Sequence, residues 1–240
     1  MEEIYILGKK YGFKIIEVAA HAIGAKYKGE YVGNCRYSDI TVFSFHPVKI
    51  ITTGEGGASL TNDLKLASRM KLLRSHGITR DRNQMEHPID DSWYYEQIDL
   101  GYNYRMTDIQ AALGISQLKR LDHYVDRRLE IAKYYNKKLN FNNYDSLQQK
   151  TDRTSSWHLY IIRFIRGKID RNRLASALSK HEIGVNLHYI PLYRHPYIDF
   201  QGSLDGAENY YDSSLTIPLF PGMSETDVDY ISNIINTNIY

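Results

Sequence analysis

The stretch from residue 39 to residue 61 limits what this chain can fold into more than any other. Asp39-Ile-Thr-Val-Phe-Ser-Phe45 is rich in β-branched and aromatic residues, and with the preceding residues it predicts a strand from Tyr37 to Phe45. An irregular segment, His46-Pro-Val-Lys49, follows, then Thr52-Thr-Gly-Glu-Gly-Gly57 and a second short strand, Gly57 to Thr61. A strand has therefore to deliver a hydroxyl, Ser44, and five positions later a lysine, Lys49, into a loop closed by glycines. That arrangement suits a lysine that bonds covalently to a carbonyl cofactor while Ser44 hydrogen-bonds the cofactor's phosphate. Taken alone, a lysine is normally a solvated surface charge, and a strand-end serine is often satisfied by backbone. Their spacing and context give them meaning.

The rest of the chain predicts alternating elements. A helix from Glu2 to Lys10 stops at Gly12, and Lys14 to Val18 reads as a strand. Asp63 is placed to cap a helix ending near Arg74. Residues 78–99 are polar and without period, and read as a long loop of the kind that more often serves function than fills space. Thr107-Asp108 opens the longest helical pattern, running to about Leu139. Asn140 to Ser155 is a polar linker. A strand from Trp157 to Phe164, a helix from Arg171 to His181, a strand-like run from Val185 to Tyr189 and helices over about 205–214 and 224–238 follow. Helix and strand in alternation predict an α/β layer with a mainly parallel sheet, followed by a smaller α+β unit.

Composition excludes several classes. The 240 residues carry a formal net charge of +2 with both signs interspersed, which is no footprint for nucleic acid. No run approaches the ~20 apolar residues needed to span a bilayer, and no basic-then-apolar leader precedes residue 20. Cys35 is the single cysteine, so an internal disulfide and a cysteine metal cluster are excluded. The expectation is a cytoplasmic soluble protein without a metal site. The 21 tyrosines are mostly explained by helix packing; Tyr94 and Tyr95 suit a subunit interface equally well.

Ser44-Phe-His-Pro-Val-Lys49 with Thr52-Thr-Gly-Glu-Gly-Gly57 resembles the cofactor-lysine segment of the DegT/DnrJ sugar aminotransferases, which use pyridoxal 5'-phosphate (PLP). The likeness continues through Leu73-Arg-Ser-His-Gly77, Leu100-Gly-Tyr-Asn-Tyr-Arg-Met-Thr-Asp108, Ile109 to Gly114, Gly184 to Pro191 and Leu215 to Pro221. Within the family it is most similar to the branch acting on a UDP-linked 4-keto-6-deoxy-N-acetylhexosamine on the way to pseudaminic acid. The resemblance implies a type I PLP-dependent aminotransferase fold lacking the N-terminal part of the large domain. Residues 1–115 would be the remainder of that domain, 116–145 a long connecting helix and 146–240 the small C-terminal domain. It implies an amino group moved from an amino acid, usually glutamate, to the sugar's C4 keto carbon. It also implies a homodimer with shared sites and a separate N-terminal fragment as a possible partner.

Residue by residue, the resemblance makes Lys49 the catalytic, cofactor-bearing lysine and proton carrier, and Ser44 a phosphate donor. Asn103 matches an asparagine that reaches the neighbouring subunit's cofactor phosphate; on its own it reads as a turn residue. Arg105 is a substrate-side cation or a member of a structural ion pair. His21 matches a polar group near the cofactor's phenolic oxygen and reads equally as a half-buried polar residue; His188 and Tyr189 match a segment lining the sugar-nucleotide pocket, whereas a histidine and a tyrosine in a strand more often simply pack. Val18 stands where the family has an aspartate facing the pyridine nitrogen. There a carboxylate would hold the ring protonated and make it an electron sink, which valine does not do. The alternative to an aminotransferase is a non-catalytic remnant that dimerises or binds a sugar nucleotide. A dehydrating branch of the family usually lacks the lysine, so Lys49 argues against it.

Overall fold

A computed structural model describes residues 1–87, 91–142 and 144–238. The chain forms two compact units. The first comprises residues 1–23 and 30–121, the second residues 24–29 and 122–240.

In the first unit helix α1 (Glu2–Tyr11) carries acids in its first turn and lysines in its last, matching its dipole, and Gly12 ends it in the left-handed conformation. Strand β1 (Ile16–Val18) pairs in parallel with β2 (Ile40–Ser44), in the register Val18 to Val42. Strand β3 (Gly57–Leu60) lies antiparallel on the other side of β2. The sheet is thus half parallel rather than mainly parallel, because the loop from 45 to 56 folds back on itself, the Phe45 amide donating to the Gly56 carbonyl, and returns the chain antiparallel. The strand expected from Tyr37 begins only at Ile40: the Asp39 carboxylate instead accepts from the Ile15 amide and from Lys14. Asp63 caps α2 (Leu64–Arg74) as predicted, accepting from the Lys65 and Leu66 amides.

The long loop is closed at its base by a two-residue antiparallel pair, Ile78–Thr79 with Glu96–Gln97. The Glu96 carboxylate accepts from the Glu86 and His87 amides and the Tyr94 hydroxyl. These donors hold its carboxyl below the ordinary value, the Glu86 amide foremost.

The single long helix expected from Thr107 to Leu139 is two. Helix α3 (Asp108–Leu118) and α4 (Leu121–Lys138) are separated by a turn at residues 119–120. The apolar pattern continues through the break, which is why periodicity alone merges them.

The second unit contains an antiparallel sheet in the order β6 (Ser214–Ile217), β5 (Tyr160–Phe164), β4 (Tyr144–Ser146). Helices α4, α5 (Lys168–Lys180), α6 (Asp205–Ser213) and α7 (Glu225–Asn238) complete it. Ile131, Ala132, Tyr135 and Leu139 of the α4 stripe pack with Leu174, Leu178, Ile162, Ile217, Val228 and Ile235 in one core. β4 lies inside the segment expected to be a polar linker, and β6 follows directly on α6, which ends where expected, in a stretch for which no element was predicted. All four β6 residues are buried. Residues 185–189 are not a strand; they touch β6 through one backbone bridge, Asn186 to Thr216. Among the described residues no helix is long and apolar enough to cross a membrane.

Leu174 has no exposed surface. Leu174→Ala is expected to cost about 2–5 kcal/mol, through lost burial and the cavity left behind. Urea denaturation followed by Trp157 fluorescence measures it.

Candidate active site around Lys49

Parallel pairing of β1 and β2 brings two carboxyl ends to one end of the sheet. Val18, Val42 and Ser44 share one face by strand alternation; Glu17, Thr41 and Phe43 share the other. The Thr41 hydroxyl donates to Glu17 at 3.1 Å, so this carboxylate is committed to the buried face. Val18 is 77% exposed on the opposite one. His21 lies in the turn just beyond β1, half-buried, at the same sheet end as Ser44.

The loop carrying Lys49 closes on itself. The Phe45 amide donates to the Gly56 carbonyl, and the Phe45 carbonyl accepts from the Thr53 amide and the Thr52 hydroxyl. The Lys49 amide turns back to the His46 carbonyl at 2.9 Å. Ile50 and Ile51, 4% and 3% exposed, anchor the chain immediately after the lysine. That anchoring leaves Lys49 half-buried, and desolvation lowers its amine below the ordinary lysine value. The Ser44 hydroxyl accepts from the His46 amide at 3.4 Å, which leaves its proton to donate elsewhere.

Glycines are required where the loop is crowded. A Cβ on Gly57 would come within 2.6 Å of the Phe43 carbonyl, and Gly56 has a φ of 155° with Met106 Cε 2.7 Å from where its Cβ would sit. Helix α3 locks the turn from the far side. Its Thr107 and Gln110 form a reciprocal cap, and Gln110 Nε2 also donates to the Glu55 carbonyl at 3.0 Å. Thr52, Thr53 and Gln110 lie within the quoted motifs, but the motifs alone give none of them a role. The Thr-x-x-Gln spacing at residue 107 was the available signal for the last.

Asn103 is exposed and bridges Ser75 through backbone, while Tyr102 and Tyr104 on either side bond to Leu73 and Arg74. Arg105 is exposed, and no ion pair among the described residues includes it. His188 and Tyr189 lie in the second unit. His188 Nδ1 is 2.7 Å from the Thr216 hydroxyl oxygen, and the Tyr189 ring packs edge-on against it at 4.7 Å.

The motifs extend beyond this loop: residues 1–236 match the model of the DegT/DnrJ/EryC1/StrS aminotransferase family. The chain belongs to that family. It is 41% identical over 240 residues to the UDP-4-amino-4,6-dideoxy-N-acetyl-beta-L-altrosamine transaminase of Campylobacter jejuni strain 81-176, covering 98% of this chain and 61% of the relative. Helicobacter pylori PseC, an aminotransferase involved in the biosynthesis of pseudoaminic acid, superposes with a TM-score of 0.90 at 30% identity, covering 99% of this chain and 62% of that one. Spr1654 from Streptococcus pneumoniae, in its PLP form, superposes at 0.83 with 31% identity, covering 96% of this chain and 59% of that one. The chain thus spans about three-fifths of the length of these family members, and its architecture is that of part of the type I PLP-dependent aminotransferase fold.

A lysine with a lowered pKa exposes more neutral amine at a given pH than its surface neighbours do. Lys49 is therefore expected to be acylated by acetic anhydride with a midpoint below the ordinary lysine value of 10.5. Peptide mapping across pH 7–11 measures the midpoint for each lysine, and Lys49 should react first.

Proposed function

We propose that this chain carries the cofactor lysine of a PLP-dependent sugar aminotransferase. In this reading an amino group passes from an amino acid, glutamate being usual in the family, to the C4 keto group of a UDP-linked 4-keto-6-deoxy-N-acetylhexosamine. The observation that carries the reading is Lys49: a half-buried amine with lowered pKa, on a closed loop at the carboxyl end of a parallel strand. The relatives' names supply the substrate class.

PLP supplies an aldehyde and an electron-accepting ring when bound. The residues fit the group at two of its ends. Lys49 would hold the group through its aldehyde, and its amine would carry a proton to and from the substrate carbon. Ser44 has a hydroxyl proton to give to the phosphate, on the face of the sheet that Val18 shares. His21, at the same sheet end, serves the phenolic oxygen. Asn103 would reach a neighbouring subunit's phosphate in a homodimer, with Arg105 beside it. His188 and Tyr189 would contact the sugar nucleotide. Residues 1–115 are assigned to the remainder of the cofactor domain, 116–145 to the connection and 146–240 to the small C-terminal domain. The assembly is assigned to the cytoplasm.

The fit fails at the ring nitrogen. Val18 offers no charge there, and Glu17 is turned to the other face and held by Thr41. β1 is an edge strand and exposes Ile16 and Val18. The second reading, a non-catalytic protein that dimerises or binds a sugar nucleotide, is favoured by Val18 alone.

Titration of the purified chain with PLP is expected to raise a visible band that borohydride bleaches and that Lys49→Ala lacks. Equal spectra for the two would remove the cofactor reading. Val18→Asp is then expected to speed amino transfer from glutamate to bound PLP by about 10²-fold, the usual worth of one charge-stabilising group. Stopped-flow absorbance measures that rate, and an unchanged rate in Val18→Asp would favour the non-catalytic reading.

A further inference from the structure

The second unit contains a polar pair that the function above leaves unexplained. Residues 185–189 are irregular, yet one point is fixed to β6: Asn186 and Thr216 exchange both backbone hydrogen bonds, at 3.1 and 2.8 Å. Two residues further on, His188 Nδ1 sits 2.7 Å from Thr216 Oγ1.

Thr216 itself is held rigidly. It is 7% exposed and paired with Ile161 across the sheet. Just past the end of β6, the Pro218 carbonyl accepts from the Tyr135 hydroxyl at 3.0 Å, and the Leu219 carbonyl accepts from Arg128 Nη1 at 2.9 Å. Tyr135 and Arg128 both project from α4, and both are buried. The strand carrying Thr216 is therefore clamped to a helix by two side chains, whereas His188 has no regular element to orient it.

A buried hydroxyl needs an acceptor for its proton. Nδ1 is the acceptor that the structure provides to Thr216. A ring nitrogen that accepts carries no hydrogen, so the neutral imidazole bears its proton on Nε2. We propose that Thr216 is a positioning residue that holds His188 in the Nε2–H tautomer, as a hydrogen-bond donor to an acceptor oxygen of the bound nucleotide. The ligand half of this assignment rests on the reading of His188 as a substrate contact; the tautomer half does not.

Ring-nitrogen NMR of the full chain labelled with ¹⁵N-histidine tests it, with His188→Gln identifying the resonances and UDP as the binding probe. The native chain and Thr216→Ser are expected to give the Nε2–H pattern, and Thr216→Val to lose it. UDP affinity should fall about tenfold in Thr216→Val and stay within about twofold in Thr216→Ser, the effect of one misdirected hydrogen bond to a charged ligand. An Nδ1–H pattern in the native chain, or an unchanged ring in Thr216→Val, overturns the proposal. If Thr216→Val does not fold, the native and Thr216→Ser spectra still decide the tautomer. A changed ring with unchanged UDP affinity, or no UDP binding by the native chain, overturns His188 as a substrate contact while the role of Thr216 stands.

Discussion

The candidate site depends on one backbone interaction, the parallel pairing of Ile16–Val18 with Ile40–Ser44 in the register Val18 to Val42. A parallel pair brings both carboxyl ends to the same edge, which is where open α/β sheets hold ligands. Here that edge gathers the chain after Val18, with His21, and the chain after Ser44, with the lysine loop. A slip of one residue would turn Ser44 to the buried face and Thr41 to the open one. The register is held from the buried side, where Thr41 has no exposed surface and its hydroxyl reaches Glu17 and Cys35.

The lysine loop shows how local chemistry makes an irregular segment rigid. Two threonine hydroxyls and four backbone amides close it, and two buried isoleucines fix its floor. Gln110 contributes from 55 residues away, capping its own helix and holding the glycine turn at once. The desolvation that shifts Lys49 follows from that rigidity, because a freely moving side chain would extend into water.

In the second unit the unusual element is Arg128. It falls on the apolar stripe of α4, 5% exposed, with carbonyls rather than a carboxylate as partners: Trp157, His158 and Leu219. Burial pushes its guanidinium down to about 10, so it stays charged at neutral pH. A cation shared by three carbonyls ties the segments before β5 and after β6 to one helix turn, and the geometry around Thr216 inherits that order.

Local and motif-level features were readable directly. The Gly12 stop of α1, the Asp63 cap of α2 and the strand–loop–strand around Lys49 each rest on interactions between residues close in sequence. So did the family, since its motifs recur in order along the whole chain. Features made by distant partners were not readable. The break between α3 and α4 interrupts no apolar pattern. β4 looks polar because Asp145 faces solvent, and β6 is too short to read as a strand until β5 supplies its hydrogen bonds. Spacing singles out a lysine and a serine, and the family resemblance a histidine. Which face each occupies, that Glu17 turns away from Val18, and that Thr216 meets His188 were decided by strand register and burial, which exist only once residues far apart in the chain have come together.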